Sequence, residues 1–219
     1  MSHFFRSFIV LIALAAGMTA QAAEPHTDSA HFGVRASFDY NNTTSCTNVV
    51  KAGPGASVGA IYYAPFGKIT YFNMGLMFFY DTFNYDGYTG EDVSLAHIDG
   101  YLSMLGLKLP LQLGVKYYQS DKISASVYTG PQFYYNFSMR SKFTRLRAGD
   151  TEEIDRTINS AGMDLGWGIG AAVEIHRHWH VHVEYNIGLN DFTSLNDIEI
   201  GKLGQLKRSE LSVGIGYNF

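Results

Sequence analysis

The sequence predicts an all-β fold, an eight-stranded antiparallel up-and-down transmembrane β-barrel. Three observations predict it. Apolar residues alternate with small or polar residues in eight separate segments, which is the period of a strand. Long and short connections alternate between these segments, an asymmetry typical of barrels that cross a membrane. Only 16% of the 219 residues are charged, against roughly 25% in soluble domains, whereas 15% are aromatic.

The first residues have the pattern of a secretory signal peptide. Arg6 supplies a positive charge, Phe8 to Ala16 forms an apolar run, and Thr19 to Ala23 offers small residues for cleavage. The run is shorter than the roughly 20 residues of a spanning helix. We therefore expect a signal peptide over residues 1–23 and a barrel domain over residues 24–219.

Four strands are predicted in the first half of the chain. They are His31–Tyr40, Gly55–Ala64, Ile69–Tyr80 and Tyr101–Tyr117. The fourth is the clearest, because leucines fill the odd positions from 105 to 113 while Gly, Lys, Pro and Gln fill the even ones. Pro110 has no amide hydrogen, so a gap in the strand pairing is expected there.

Four more strands are predicted in the second half. They are Ile123–Phe137, Ala161–Ile175, Trp179–Leu189 and Leu211–Phe219. The last one places Leu, Val, Ile, Tyr and Phe on one face and Ser, Gly and Asn on the other. A terminal strand that ends on Phe219 resembles the C-terminal strand of outer-membrane barrels. That resemblance implies recognition by the barrel-assembly machinery.

The connections predict which ends lie together. Short turns are expected at 65–67, 119–122 and 176–178, and long loops at Asn41–Pro54, Asp81–His97, Ser138–Ser160 and Asn190–Lys207. In such barrels short turns face the periplasm and long loops face outward. Both ends of the chain would then be periplasmic.

Composition decides which face of the sheet meets lipid. The less apolar face is rich in Gly, Ser and Asn with single charges of both signs, which suits the crowded interior of an eight-stranded barrel. The apolar face carries Tyr or Trp near strand ends, as an interfacial girdle does. A soluble barrel with the opposite orientation is the alternative. The predicted lumenal polar network comprises Arg35, Asp39, Lys108, Lys116, Asp164, Glu174, His180, His182, Glu184 and Glu210.

Four histidines at 176, 178, 180 and 182 share one face with Glu174 and Glu184. Imidazole and carboxylate groups can hold a transition metal. Successive positions on one face lie about 7 Å apart, too far for all of them to reach one ion. We therefore expect a lumenal or periplasmic polar network, with no metal, cofactor or catalytic residue.

Three other interpretations remain open at this stage. The lumenal charges could line a selective pore instead of a plug. Ser94, His97 and Asp99 could serve a lipid-modifying enzyme, although no spaced triad is visible. A basic cluster at 140–147 could touch lipopolysaccharide phosphates, although a solvated surface explains it as well. A net charge of −4 gives no reason to expect nucleic acid.

The mature chain resembles the PorT-like outer-membrane β-barrel family of the Bacteroidetes type. The resemblance rests on a hydrophobic strand broken by Leu109-Pro110-Leu111, a following strand with Gly130-Pro131, and the final Gly-Tyr-Asn-Phe. It is also similar in general to small OmpA-type and OmpX-type barrels. The resemblance implies an outer-membrane location and a lipid environment, and implies little about activity.

We therefore expect an outer-membrane protein with a structural or interaction role and a mostly plugged lumen. A porin-like barrel for small or hydrophobic solutes is the first alternative. A lipid-modifying enzyme is the second.

Overall fold

A computed structural model describes residues 29–44, 49–89, 96–147, 150–158, 162–190 and 207–219. The predicted signal peptide, Ser94 and most of the predicted loop Asn190–Lys207 lie outside these residues. None of the described residues forms a helix long and apolar enough to cross a bilayer.

Eight long strands close into an antiparallel ring, as the sequence predicts. The ring runs β1–β3–β4–β5–β6–β8–β9–β10, and β10 pairs back onto β1. Two further strands, β2 and β7, pair only with β4 and β6. The strands are β1 His31–Thr44, β2 Val50–Lys51, β3 Gly53–Pro65, β4 Thr70–Thr89, β5 Ala96–Gln119, β6 Ile123–Arg147, β7 Asp150–Ile158, β8 Met163–Ile175, β9 Trp179–Gly188 and β10 Lys207–Asn218.

Three short turns join the strands at one end, which we call the short-turn end. The tightest connects β8 to β9, where the amide of His178 bonds the carbonyl of Ile175. His176 and Arg177 both have positive φ angles, 51° and 63°. Two such residues in a row make the type I′ turn whose twist matches that of a hairpin.

The apolar face points outward and the polar face inward, as predicted. Phe38, Leu113 and Val213 are 60%, 56% and 52% exposed although each sits in the middle of a long strand. The inward neighbours of these residues are almost fully buried. Burial inside and apolar exposure outside is the arrangement of a barrel that faces lipid.

Three of the predicted long loops are wrong, because most of their residues are strands. β1 and β3 take both ends of the segment Asn41–Pro54, β4 and β5 extend into Asp81–His97, and β6 and β7 fill much of Ser138–Ser160. The extensions form a five-stranded sheet in the order β2-β4-β5-β6-β7 that rises above the rest of the ring. We call it the tall sheet, and it comprises β2, β7 and residues 81–89, 96–104 and 139–147.

The two faces of β4 exchange character where the tall sheet begins. Below Tyr80 the outward residues are apolar, and above it they are Thr82, Asn84 and Asp86. The inward side is mixed below that point, where Asn73 lies beside Tyr71, Met77 and Phe79, and it is apolar above Asp81, where Phe83 and Tyr85 are buried. A strand that leaves a lipid environment for water must turn its polar side outward, so this reversal marks the upper edge of the apolar band.

Pro110 produces the predicted gap. The β4–β5 pairing breaks between the pairs Met74–Leu111 and Met77–Lys108. On the other side, β5 and β6 lose register between Leu105 and Gly106, where Phe137 is an extra residue. This bulge lets β6 bend into the tall sheet while its apolar residues stay inside.

Candidate functional site

The barrel lumen holds the polar side chains that the sequence singles out, and they form three layers. In the layer nearest the short-turn end, Glu174 accepts hydrogen bonds from Lys116 at 2.9 Å and Ser124 at 2.8 Å. Asn218 donates to its other oxygen at 3.3 Å. The Lys116 ammonium also lies 5.1 Å from the centre of the Tyr63 ring, which fixes it from a second side.

The middle layer is built on two glutamates from neighbouring strands. Glu184 accepts hydrogen bonds from Gln112, at 2.7 Å, and from Gln132. Glu210 pairs with Lys108 and accepts a bond from the Tyr134 hydroxyl at 3.2 Å. All six side chains are at least nine-tenths buried, so the charges of Glu184, Glu210 and Lys108 depend on these partners.

Asp39 joins this layer through a hydroxyl. The Ser212 hydroxyl bridges Asp39 and Glu210. On the opposite side, Ser37 and the His182 ring nitrogen lie 3.2 Å apart. A hydroxyl has a single proton, so Ser212 lies within hydrogen-bond distance of both carboxyl groups and donates to one of them at a time.

The third layer, towards the tall sheet, is centred on Arg208. Its guanidinium pairs with Asp81 at 3.0 Å and lies 3.7 Å from Asp164. The ring of Tyr134 stacks 4.4 Å from the guanidinium carbon. Asn136 binds Asp164 at 2.9 Å. Arginine suits this place because its planar group bonds several acceptors and stacks on a ring.

All ten residues of the predicted lumenal network face the interior. Glu174 is partly buried, at 12% side-chain exposure, and the others are buried. Sequence reasoning missed Asp81 and Arg208, which lay in or next to predicted loops. The two-residue period of a strand could have found them, because Asp81 lies two residues after the inward Phe79 and Arg208 lies two residues before Glu210. With both included, six lumenal carboxylates face four lysine or arginine side chains.

Glycines on β8 make room for this network. A Cβ at Gly168 would lie 2.6 Å from the Gln132 amide nitrogen, and one at Gly170 would lie 2.5 Å from the Tyr128 ring. Both distances are far below van der Waals contact. The small residues on this strand are therefore required by the long side chains that cross the lumen from β6.

An apolar cluster closes the lumen at the tall-sheet end. It is made of large buried side chains, so it resembles the core of a soluble sheet protein. The cluster contains Val49, Val50, Phe79, Phe83, Tyr85, Ile98, Leu102, Met104, Tyr134, Met139, Phe143 and Ile154. This apolar closure was not expected from the sequence, which predicted a polar plug.

Two cavities in the described interior bear on the lumen. One of about 20 Å³ lies in the middle layer beside Arg35, Gln112 and His182, each of which has a buried atom without a partner there. It has room for about one water molecule. The other, of about 220 Å³, opens at the short-turn end. Neither cavity continues through the apolar closure.

The four spaced histidines divide between two environments. His180 and His182 point inward, with ring centres 5.3 Å apart, and are buried. His176 and His178 are exposed on the tight turn. His180 lies 3.9 Å from Glu174, whose oxygens already accept other bonds. Among the described residues, the carboxylates of Asp39, Asp81 and Glu210 come within 4.8 Å of one another. Lys108 pairs with Glu210 and Arg208 pairs with Asp81.

The basic cluster at 140–147 lies on the tall sheet and is paired with acids of β7. Arg140 binds Asp155 through two bonds, at 3.0 and 2.6 Å, and Lys142 binds Glu153 at 2.8 Å. The Arg140 guanidinium holds the pKa of Asp155 below its usual range. The Arg147 side chain lies outside the described residues. These cations therefore hold β7 against β6.

Comparisons with known proteins give one family and several similar structures. A family described as an outer membrane protein beta-barrel domain matches residues 19–194. Ail, the attachment invasion locus protein of Yersinia pestis, is 15% identical, with a TM-score of 0.44 over 88% of this chain and 100% of Ail. A major outer membrane protein from Thermus thermophilus gives the same four values. Neisserial surface protein A is 12% identical, with a TM-score of 0.42 over 88% and 100%. No curated protein matches.

Proposed function

The chain belongs to the outer membrane protein beta-barrel domain family, and we propose that it serves as a closed structural and interaction barrel. It is an outer-membrane β-barrel protein. In such barrels the short turns face the periplasm, so the tall sheet would stand on the cell surface. The role we assign is to present that sheet from a rigid, non-conducting base.

The observation that carries the proposal is the filling of the lumen. Three polar layers from Glu174 to Arg208 are followed by the apolar cluster around Phe83 and Phe143. The cavity in the middle layer has room for about one water molecule. A barrel of eight strands leaves little space that side chains do not fill.

Conductance in a planar bilayer tests this proposal. The refolded mature chain should insert, shift its gel mobility on heating, and remain electrically silent. Discrete ion-conducting steps would contradict the closed barrel and favour the porin-like alternative. The variant Phe83→Ala, which thins the apolar closure without touching the polar layers, should remain silent as well. Two independent closures would both have to fail before ions pass.

We propose no catalytic role. The ring of His97 lies 3.5 Å from Asp86 and packs edge-on against Tyr88 at 5.0 Å. These contacts hold it on the outer face of the tall sheet, on β5. Hydrolysis of outer-membrane lipid by the wild-type chain, lost on changing His97 to Gln, would contradict this.

We also propose that the chain is PorT-like. The supporting feature is a pair of prolines on neighbouring strands, Pro110 on β5 and Pro131 on β6. Pro110 pairs with Gln132, and the β5–β6 pairing then skips to Leu113 and Thr129. A gap shaped by two facing prolines is a specific local structure that the two signature strands would share across that family.

The partners we propose are outer-membrane lipid and the barrel-assembly machinery, with no nucleic acid. The outward apolar band supports the first. For the second, β10 closes the ring by pairing with β9 and β1 at once, so it is the strand whose correct placement completes the barrel. Deleting Phe219 should slow assembly in cells while leaving refolding in detergent unchanged.

A further inference from the structure

The larger cavity forms a vestibule at the short-turn end of the barrel. It has a volume of about 220 Å³, smaller than the roughly 300 Å³ of the smallest drug-sized pockets. Side chains from two of the three short turns, from residues 29–31 and 219, and from three inward strand positions surround it. They are Ser29, His31, Lys116, Gln119, Ser120, Lys122, Ile123, Ser124, Glu174, Arg177, His178 and Phe219.

The charge of this vestibule is positive. Lys116, Lys122 and Arg177 line it, and Glu174 is the one acidic side chain in its lining. That carboxylate is already bonded by Lys116, Ser124 and Asn218. Neither Lys122 nor Arg177 has an acidic partner within ion-pair distance among the described residues. Two cations therefore face the cavity with their charge uncompensated.

The floor of the vestibule and the turn at its rim are held by structure. Lys116, in the cavity floor, has a side chain only 5% exposed and is fixed by Glu174 and Tyr63. Arg177 sits on the type I′ turn, and the next residue, His178, bonds the Asn218 carbonyl at 3.0 Å and stacks on Tyr217. The Lys116 side chain and the turn that carries Arg177 are therefore fixed, whereas the side chains of Arg177 and Lys122 are exposed.

The layer above the floor adds further polar atoms without partners. The Arg35 Nε, the Tyr128 hydroxyl and both ring nitrogens of His180 are buried and make no hydrogen bond in the described part of the chain. Buried polar atoms are normally bonded to protein or water. Three of these four atoms can donate a hydrogen bond, so the interior behind the vestibule still offers donors to an acceptor.

We propose that this vestibule binds a phosphate group. Two uncompensated cations match the charge of a phosphate dianion, and arginine and lysine are the side chains that bind phosphate oxygens most strongly. The floor is closed, so the group binds and does not pass. The exposure of the vestibule to periplasmic ligands rests on the orientation given under the proposed function. Phosphate binding itself does not depend on that orientation. The titration described below would give the same result if the barrel conducted ions.

Amide chemical shifts of the refolded mature chain in zwitterionic micelles test the proposal. Inorganic phosphate, titrated against chloride at constant ionic strength, should produce saturable shifts at residues 119–124 and 174–178. Arg177→Glu should weaken binding about tenfold or more, the value of one strong charged hydrogen bond. Lys122→Gln is the milder second variant, and heat-dependent gel mobility verifies that each variant is folded.

Lys68→Glu is the matched control, because Lys68 is exposed on another turn at the same end and does not line the vestibule. It should change affinity less than about twofold, since surface charges are screened. Equal weakening by Lys68→Glu and Arg177→Glu, or shifts that never saturate, would overturn the site.

Response to inorganic phosphate in pure phosphatidylcholine assigns a soluble source. Response only on adding phosphatidylglycerol assigns a lipid headgroup.

Discussion

Replacing Lys108 with Met should destabilise the barrel more than replacing Glu210 with Gln, although the two changes break the same ion pair. Both side chains are almost fully buried, at 5% and 2% exposure. Glu210 has other donors, the Tyr134 and Ser212 hydroxyls, at 3.2 and 2.9 Å. The ammonium of Lys108 is the cation in contact with this carboxylate.

The difference follows from the balance of lumenal charge. Six carboxylates face four lysine or arginine side chains, an excess of two. Lys108→Met raises that excess and leaves Glu210 as a buried, unpaired charge, at a cost of about 3–5 kcal/mol. Glu210→Gln lowers the excess, and its amide oxygen still accepts from Tyr134 and Ser212, so its cost should be about 1–3 kcal/mol.

Urea unfolding from lipid vesicles measures both costs, followed by the fluorescence of Trp167 and Trp179. Lys68→Met, on an exposed turn, is the control and should change the free energy of unfolding by less than about 0.5 kcal/mol. The double variant Lys108→Met/Glu210→Leu should be more stable than Lys108→Met alone, because no unpaired charge remains. If Glu210→Gln costs as much as Lys108→Met, the charge-balance argument is wrong.

Two further predictions test the faces of the barrel and the tall sheet. Leu109→Arg on the outward face should cost about 2–4 kcal/mol in the same unfolding assay, and Gln112→Arg less, because its guanidinium would meet Glu184; equal costs would contradict the assignment of faces. The stabilising bond of Asp155 to Arg140 should be fully present above the ordinary pKa of aspartate and lost as pH falls through the lowered pKa. The carboxyl carbon of Asp155 should therefore titrate below the usual range, and Arg140→Gln should return its midpoint to that range.

The barrel itself could be predicted because its signal is local. Each strand repeats its pattern every two residues, and the final strand, Leu211 to Phe219, shows this over nearly its whole length. Parity then places Lys108, Glu184 and Glu210 on one face without any knowledge of strand pairing. Their burial in the lumen follows from parity and from the choice of face.

The tall sheet was missed because its composition resembles that of loops. The segment that starts at Asp81 is dense in Asp, Asn, Gly and Tyr, which usually indicates turns. Its period is nevertheless two, with Phe83 and Tyr85 inward and Asn84 and Asp86 outward. Where a strand passes from lipid into water, its outward residues change from apolar to polar. A search for one continuous apolar face therefore ends the strand at that point.

Pairing between distant side chains could not be predicted at all. Arg208 and Asp81 are separated by 127 residues and belong to strands that are not neighbours in the ring. Their contact depends on the register of every strand between them and on the tilt of the closed sheet. The alternation along each strand predicts that both side chains face inward. Their contact is determined only when the ring of strands closes.

The reversal of the strand faces also explains why the lumen is closed in two different ways. At the depth of lipid the outer face must be apolar, so the inner face carries the polar residues, which have to satisfy one another across a narrow space. Above that depth water surrounds the sheet, and the inner face becomes an ordinary apolar core around Phe83 and Phe143. A conducting state would have to separate Arg208 from Asp81 and also open this core. Among the described residues, the two closures meet at Phe79, Met104 and Tyr134, which contact Arg208. Loss of either one alone should therefore leave the barrel sealed.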